Sequence, residues 1–117
     1  MDDLRHRTKA FSLRAIRLFG ALPRTVEAQV IGKQLLRSAT SVGANYREGT
    51  RARSDAEFFA KLGDCPKELE ETAYWFELLA ESGIVAPEKL APLQDETNQL
   101  LAILTAIVKR RKMTKDE

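Results

Sequence analysis

A run of apolar and small residues in the second half of the chain repeats at alternating steps of four and three residues. Its members are Phe58, Leu62, Cys65, Leu69, Thr72, Phe76 and Leu79. This spacing places every member on one stripe of an α-helix, and it does not match the two-residue alternation of a half-buried strand. The stripe therefore predicts a long helix that buries one face against other helices.

Signals at both ends delimit this helix. Ser54 and Glu57 have the spacing of a capping box, in which the serine caps the helix and the glutamate reaches back. Gly83 supplies the left-handed residue that commonly follows a helix, so the helix is predicted over about 55–82. Pro66 lies inside it and removes one backbone hydrogen bond. Because the spacing keeps its phase across the proline, we expect a bent but continuous helix.

Three further segments carry the helical period, and no segment alternates like a strand. The four predicted helices span about 4–22, 26–51, 55–82 and 87–112, and Thr25 is predicted to cap the second. Pro87 and Pro92 predict a turn at the start of the fourth helix, which becomes regular from Pro92. The short connections make neighbours antiparallel, so we predict an all-α, up-down-up-down antiparallel four-helix bundle. A chain of 117 residues is expected to form a single domain, 1–117.

The second predicted helix separates apolar from basic residues. At about 100° per residue, its apolar side chains cluster on one side and four cations cluster opposite them. These cations, which we call the basic spine, are Lys33, Arg37, Arg47 and Arg51. With Arg53 and the cations at 109–112, the spine is a candidate surface for a phosphate backbone. Gly32 and Gly43 share one flank of the helix, where small residues permit close approach of a neighbour.

Charge is unevenly divided along the chain, although the net charge is +2. Residues 1–53 carry eleven basic and four acidic side chains, and residues 54–117 carry eight basic and thirteen acidic ones. Three interpretations are open. The opposite charges pair within one bundle, the basic half binds a polyanion, or the unlike halves of different copies attract each other.

Few side chains suited to catalysis or metal binding are present. One cysteine, Cys65, excludes an intrachain disulfide, and one histidine, His6, leaves too few ligands for a zinc or di-iron site. Glu68 and Glu71 have no nucleophile or metal ligand in pattern with them, so we interpret them as a solvated helix face near lysines of the same helix. We therefore expect no enzyme activity, no cofactor and no metal.

The sequence carries no pattern typical of export or membrane insertion. Its charged start is not followed by the apolar run of a signal peptide. The most apolar segment, Leu100–Val108, is too short to cross a bilayer. A lone cysteine also suits a reducing compartment. We expect a cytoplasmic protein with no membrane partner.

Several side chains at the edges of the apolar faces are suited to specific contacts. Ser38 and Asn45 lie at the edge of the apolar face of the second helix and are predicted to hydrogen-bond across the bundle. Glu48 lies near the basic spine and is predicted to pair with a basic side chain of a neighbouring helix or copy. Four residues outside the stripe of the third helix, here called the aromatic flank, are Phe59, Tyr74, Trp75 and Leu78. The aromatic flank either widens the core face or anchors a subunit interface.

Two longer stretches carry a family resemblance. They are residues 37–49, RSATSVGANYREG, and residues 54–62, SDAEFFAKL. A pattern E..ET.YW follows, formed by Glu68, Glu71, Thr72, Tyr74 and Trp75. Over about Leu4–Val108 the sequence resembles the bacterial four helix bundle protein family, also called the large-subunit ribosomal RNA intervening-sequence protein family. A departure from the family pattern is Asp64-Cys65-Pro66, where the family usually continues a plain apolar helix.

The resemblance implies a four-helix bundle that assembles as a ring-like homopentamer. It also implies similarity to the accessory proteins of diversity-generating retroelements, which are basic pentamers that bind nucleic acid and a reverse transcriptase. We therefore expect a non-enzymatic homo-oligomer that acts as a structural or adaptor assembly. The alternative is a sequence-independent RNA- or DNA-binding accessory protein that uses the basic spine and acts with a nucleic-acid-processing protein.

Overall fold

Four helices in sequence account for most of the chain. A computed structural model describes residues 3–116, with side chains through Thr114; Met1, Asp2 and Glu117 of the predicted domain lie outside the described residues. The helices are α1 (Asp3–Ala21), α2 (Val26–Thr50), α3 (Asp55–Glu81) and α4 (Pro87–Asp116). Each helix packs against the next one in the chain, and α1 and α4 complete the bundle through a smaller contact. The predicted all-α, up-down-up-down four-helix bundle is confirmed.

The predicted capping residues lie at the helix ends. The Thr25 side chain accepts a hydrogen bond from the Ala28 N–H at 3.3 Å, and Ser54 accepts one from the Glu57 N–H at 3.1 Å. The Glu57 carboxylate accepts from the N–H of Arg53, one residue before the expected partner. These bonds satisfy N–H groups that a helix start would otherwise leave unpaired.

Two prolines lie inside helices without ending them. α3 runs through Pro66, so its predicted continuity is confirmed, while the bend there stays a prediction. α4 runs from Pro87 through Pro92, so the predicted turn before Pro92 is wrong. Leu90 and Leu93 are both buried in the core, and this packing holds the segment around Pro92 against the bundle in helical form.

Glycines on α2 set its distance from α1. A β-carbon built on Gly43 would lie 3.4 Å from the Thr8 carbonyl oxygen, and one on Gly32 would lie 2.6 Å from Leu22 Cδ1. The predicted close approach along this flank is therefore confirmed, and α1 packs directly on the α2 backbone. The contact between Thr8 and Gly43 also places the start of α1 beside the second half of α2, as antiparallel helices require.

Hydroxyl side chains are buried in the core together with the apolar residues. Ser38 of α2 and Thr72 of α3 are fully buried, with their hydroxyl oxygens 2.8 Å apart. Each hydroxyl oxygen also lies near a carbonyl of its own helix, Ser38 at 3.2 Å from Leu35 and Thr72 at 2.7 Å from Glu68. Because a hydroxyl carries one proton, one of the two donates across the bundle and the other donates to its own helix. Across residues 3–114, no buried side-chain nitrogen or oxygen lacks a hydrogen-bond partner. The buried side-chain polar groups of these residues are thus satisfied within one chain.

Candidate interaction surfaces

The basic spine is divided in two by its surroundings. Lys33 is exposed on α2, Arg51 is exposed at the C-cap of α2, and Arg53 is exposed in the connection that follows. Arg47 is half-buried where α1 meets α2. Ion pairs are found for Arg37 but not, within residues 3–114, for the other three members of the spine or for Arg53.

Arg37 belongs to a network between α2 and α3. Its guanidinium pairs with the carboxylates of Glu68, at 3.2 Å, and Glu71. The same Glu71 oxygen accepts a hydrogen bond from the Trp75 indole N–H at 3.0 Å. The two glutamates are therefore not an isolated solvated face beside lysines, as the sequence pattern had indicated, but the partners of Arg37, one member of the basic spine.

Hydrogen bonding sets the ionisation of this network. The bond from the Trp75 indole, followed by the bond from Arg37, lowers the pKa of Glu71 below its ordinary value. The hydrogen bond to Glu71 raises the pKa of Arg37. Since a lowered carboxyl pKa keeps Glu71 charged to lower pH, the network is intact at neutral pH and weakens as pH falls through the titration of Glu71.

The predicted structural polar residues have different environments. Ser38 makes its bond across the bundle to Thr72, a partner that the stripe on α3 included but did not identify as a hydrogen-bonding residue. Glu48 pairs with Lys61 of α3, with 2.7 Å between the carboxylate oxygen and Nζ. Asn45 is half-buried on α2. The internal pairing of unlike charges thus joins α2 to α3 at two separate levels.

The aromatic flank does not form one continuous surface. Trp75 and Leu78 are half-buried, and Trp75 packs against the core. Phe59 makes an edge contact with the ring of Phe58 at 5.4 Å between centroids. Tyr74 is 52% exposed, and its ring lies 5.1 Å from the ring of Trp75. The outward part of the flank is therefore exposed Tyr74, with half-buried Leu78 one helical turn further along α3.

A groove between α1 and α2 was missed in the sequence. It encloses about 210 Å³ and is lined by Lys9, Ser12, Leu13, Gly43, Ala44 and Arg47. Leu13 is 41% exposed, and Ile16, one turn further along α1, is 50% exposed. On a helical wheel both residues lie far from Phe11 and Ala15 of the α1 core face. This position could have indicated from the sequence that α1 has exposed apolar residues.

The basic end of α4 contacts the start of α3 through Arg111. Arg111 pairs with Asp55 at 3.2 Å, and its guanidinium carbon lies 4.5 Å from the centre of the Phe58 ring. A cavity of about 430 Å³ opens between this end of α4 and the α2–α3 connection, and Arg53 and Arg111 both line it. Lys109, Arg110 and Lys112 are exposed.

The lone cysteine is positioned as a core residue. Cys65 is fully buried, and its thiol points toward the carbonyls of Val42, at 3.5 Å, and Lys61, at 3.7 Å. Burial, with the nearby carboxylates of Asp64 and Glu68, raises the pKa of Cys65 to about 12. A thiol in this state does not act as a nucleophile at neutral pH.

Comparison with known proteins shows the family to which this four-helix bundle is similar. The family model described as 23S rRNA-intervening sequence protein matches residues 3–106. The chain belongs to this family. The match covers all of α1–α3 and most of α4, so it includes both the basic spine and the aromatic flank. No curated protein matches the sequence.

A solved structure supports the fold of this member of the intervening sequence protein family. It is a protein of unknown function from the S23 ribosomal protein family of Bacteroides thetaiotaomicron, with 34% sequence identity and a TM-score of 0.84. The similarity covers 90% of this chain and 94% of the other. Neither description names an enzymatic activity. Within residues 3–116, no helix is long and apolar enough to span a membrane.

Proposed function

We propose that this intervening sequence protein is a non-enzymatic homo-oligomer, a pentamer, that serves as a structural or adaptor assembly. The observation that carries the proposal is the apolar surface left outside a closed bundle. Tyr74, Ile16 and Leu13 are each 41–52% exposed, although the core beneath them has its polar groups satisfied. Exposed apolar residues flanked by charge are typical of protein–protein contact surfaces. The number of copies rests on the sequence resemblance to pentameric proteins.

Light scattering after size-exclusion chromatography tests the assembly. At micromolar concentration we expect one species with five times the 13.2 kDa mass of the chain. Specific interfaces bury about 800 Å² on each partner, which is enough for association in this range. A uniform species of 13.2 kDa would end the proposal, and a stable assembly of another size would reject the pentamer.

The alternative proposal, a nucleic-acid-binding accessory function, is favoured by the unpaired half of the basic spine. Lys33 and Arg51 lie about 27 Å apart along α2, at a helical rise of about 1.5 Å per residue. That length can follow a phosphate backbone, and repeated copies in an assembly increase the avidity. Arg37 is held by α3 carboxylates and contributes less. Since aromatic residues are missing among the spine cations, binding would not depend on base sequence.

Binding of labelled RNA and duplex DNA at about 50 and 200 mM salt tests this alternative. We expect the double variant Lys33→Glu, Arg51→Glu to lose at least about tenfold in affinity, because it reverses two phosphate contacts. The double variant Lys67→Glu, Lys89→Glu makes the same charge change on exposed positions of α3 and α4 and serves as the matched control. Equal binding by both double variants and the wild type would exclude the spine as the site.

A further inference from the structure

The outward part of the aromatic flank is surrounded by acidic side chains. Tyr74 and Leu78 are one helical turn apart on α3 and share a face. Glu70, Glu77 and Glu81 lie four residues before, three after and seven after Tyr74, so they border the same face. All three glutamates are exposed, and within the described residues no ion pair involves them. We call these five residues the acidic patch.

The groove between α1 and α2 is bordered by basic side chains, opposite in charge to the acidic patch. Leu13 lines the groove, and exposed Ile16 follows one helical turn later on α1. Lys9 lies four residues before Leu13 and Arg17 four residues after it. Arg47 of α2 lines the same groove as Lys9 and Leu13. Lys9 and Arg17 are exposed, Arg47 is half-buried, and the described structure shows no ion pair for any of the three. We call this surface, with its two apolar residues and three cations, the basic groove.

From this complementarity we infer that the acidic patch of one copy docks into the basic groove of the next copy. The inference rests on the proposed homo-oligomer and names its interface. The patch offers exposed Tyr74 beside half-buried Leu78, and the groove offers exposed Leu13 and Ile16. In residues 3–114, each surface also carries three charges without an ion pair, with opposite signs on the two surfaces. Docking of these two surfaces buries apolar side chains at the centre of the interface and brings opposite charges together at its rim. Two copies of the same surface would repel each other, because their charges have the same sign.

Within the described residues of one chain, no ion pair joins the two surfaces. The basic groove lies on α1 and α2 and the acidic patch on α3, and within residues 3–116 no Cα atom of α1 lies within 8 Å of a Cα atom of α3. A contact between unlike surfaces is head-to-tail, so each copy keeps one groove and one patch available for further copies. Head-to-tail contacts extend into filaments or close into rings. The inferred interface therefore permits a ring with an odd number of copies, which a two-fold contact by itself does not.

Two single variants test the pairing without touching the core. Leu13→Glu spoils the groove and leaves the patch intact, and Tyr74→Lys spoils the patch and leaves the groove intact. Both side chains are about half exposed in the free chain, so circular dichroism should show unchanged helix content. We expect each variant alone to fall to the 13.2 kDa mass of one chain. Mixed in equal amounts, they should form a species of twice that mass, because one intact groove meets one intact patch.

A matched control and the mixing result make the test decisive. Val26→Glu changes the most exposed apolar side chain of α2, which lies outside both surfaces, and should keep the wild-type mass. If both variants keep the wild-type mass, the interface lies elsewhere, although the proposed assembly stands. If both become monomeric but do not pair when mixed, the head-to-tail inference is overturned. A monomeric wild type rejects the proposed function together with the inference.

Discussion

Replacing Gly49 by alanine is expected to destabilise the bundle by about 2 kcal/mol, because the added methyl has no room. A β-carbon built there would lie 1.7 Å from Leu62 Cδ2, 3.2 Å from its Cγ and 3.4 Å from its backbone nitrogen. Leu62 is 1% exposed, so it has no open space into which to rotate. This steric cost exceeds the gain of about 1 kcal/mol that alanine brings over glycine inside a helix. Urea denaturation with an unchanged m-value measures the difference.

Gly63 supplies the matched control for this variant. It lies inside α3, next to Leu62 in sequence, and nothing is found within 4 Å of a β-carbon built on it. The variant Gly63→Ala should therefore stabilise the protein by about 0.5–1 kcal/mol through helix propensity alone. Equal effects of the two substitutions would show that α2 and α3 do not pack closely at Gly49.

Cys65 is expected to react with a thiol reagent about a thousandfold more slowly in the native protein than in the urea-unfolded chain at pH 8. Its pKa rises from an ordinary value of 9.0 to about 12, so the native thiolate fraction is smaller by about that factor. Burial beneath α2 adds a steric barrier. Absorbance of the released reagent chromophore follows both reactions, and comparable native and unfolded rates would contradict the buried placement.

The raised pKa of Cys65 also predicts how the stability of the folded protein changes with pH. A thiol whose pKa is higher in the folded than in the unfolded state favours the folded protein in its protonated form. The contribution is complete below about pH 9 and is lost as pH rises toward 12. A Cys65→Ala variant should lose this part of the alkaline dependence, as equilibrium unfolding between pH 8 and 11 would show.

The fold could be predicted because its signals are local. The stripe on α3 repeats over about six turns. Its members from Leu62 to Leu79 are buried as expected. Caps at Thr25 and Ser54 lie where the side chains could reach unpaired N–H groups within three residues. The miss at Pro92 has a tertiary cause, since Leu90 holds the preceding turn in the core.

The candidate surfaces were predictable in part. The wheel of α2 identified the basic spine, because charge on one side of a helix can be read from the sequence alone. It did not identify that Arg37 meets Glu68 and Glu71, which are more than thirty residues away. The aromatic flank was likewise grouped by residue type, and the structure divides it between the core contact of Trp75 and the outward face of Tyr74.

The sequence by itself determined the core face of α3, the ends of α1, α2 and α3 to within about one residue, and the opposite charge of the two halves. The tertiary structure decided the register between helices, through contacts such as Gly43 on Thr8 and the Ser38–Thr72 hydroxyl pair. Register determines which spine cation finds a carboxylate and whether Leu13 lies beside Arg47. Periodicity specifies rotation about a helix axis, whereas sliding along that axis is settled by side-chain packing between helices.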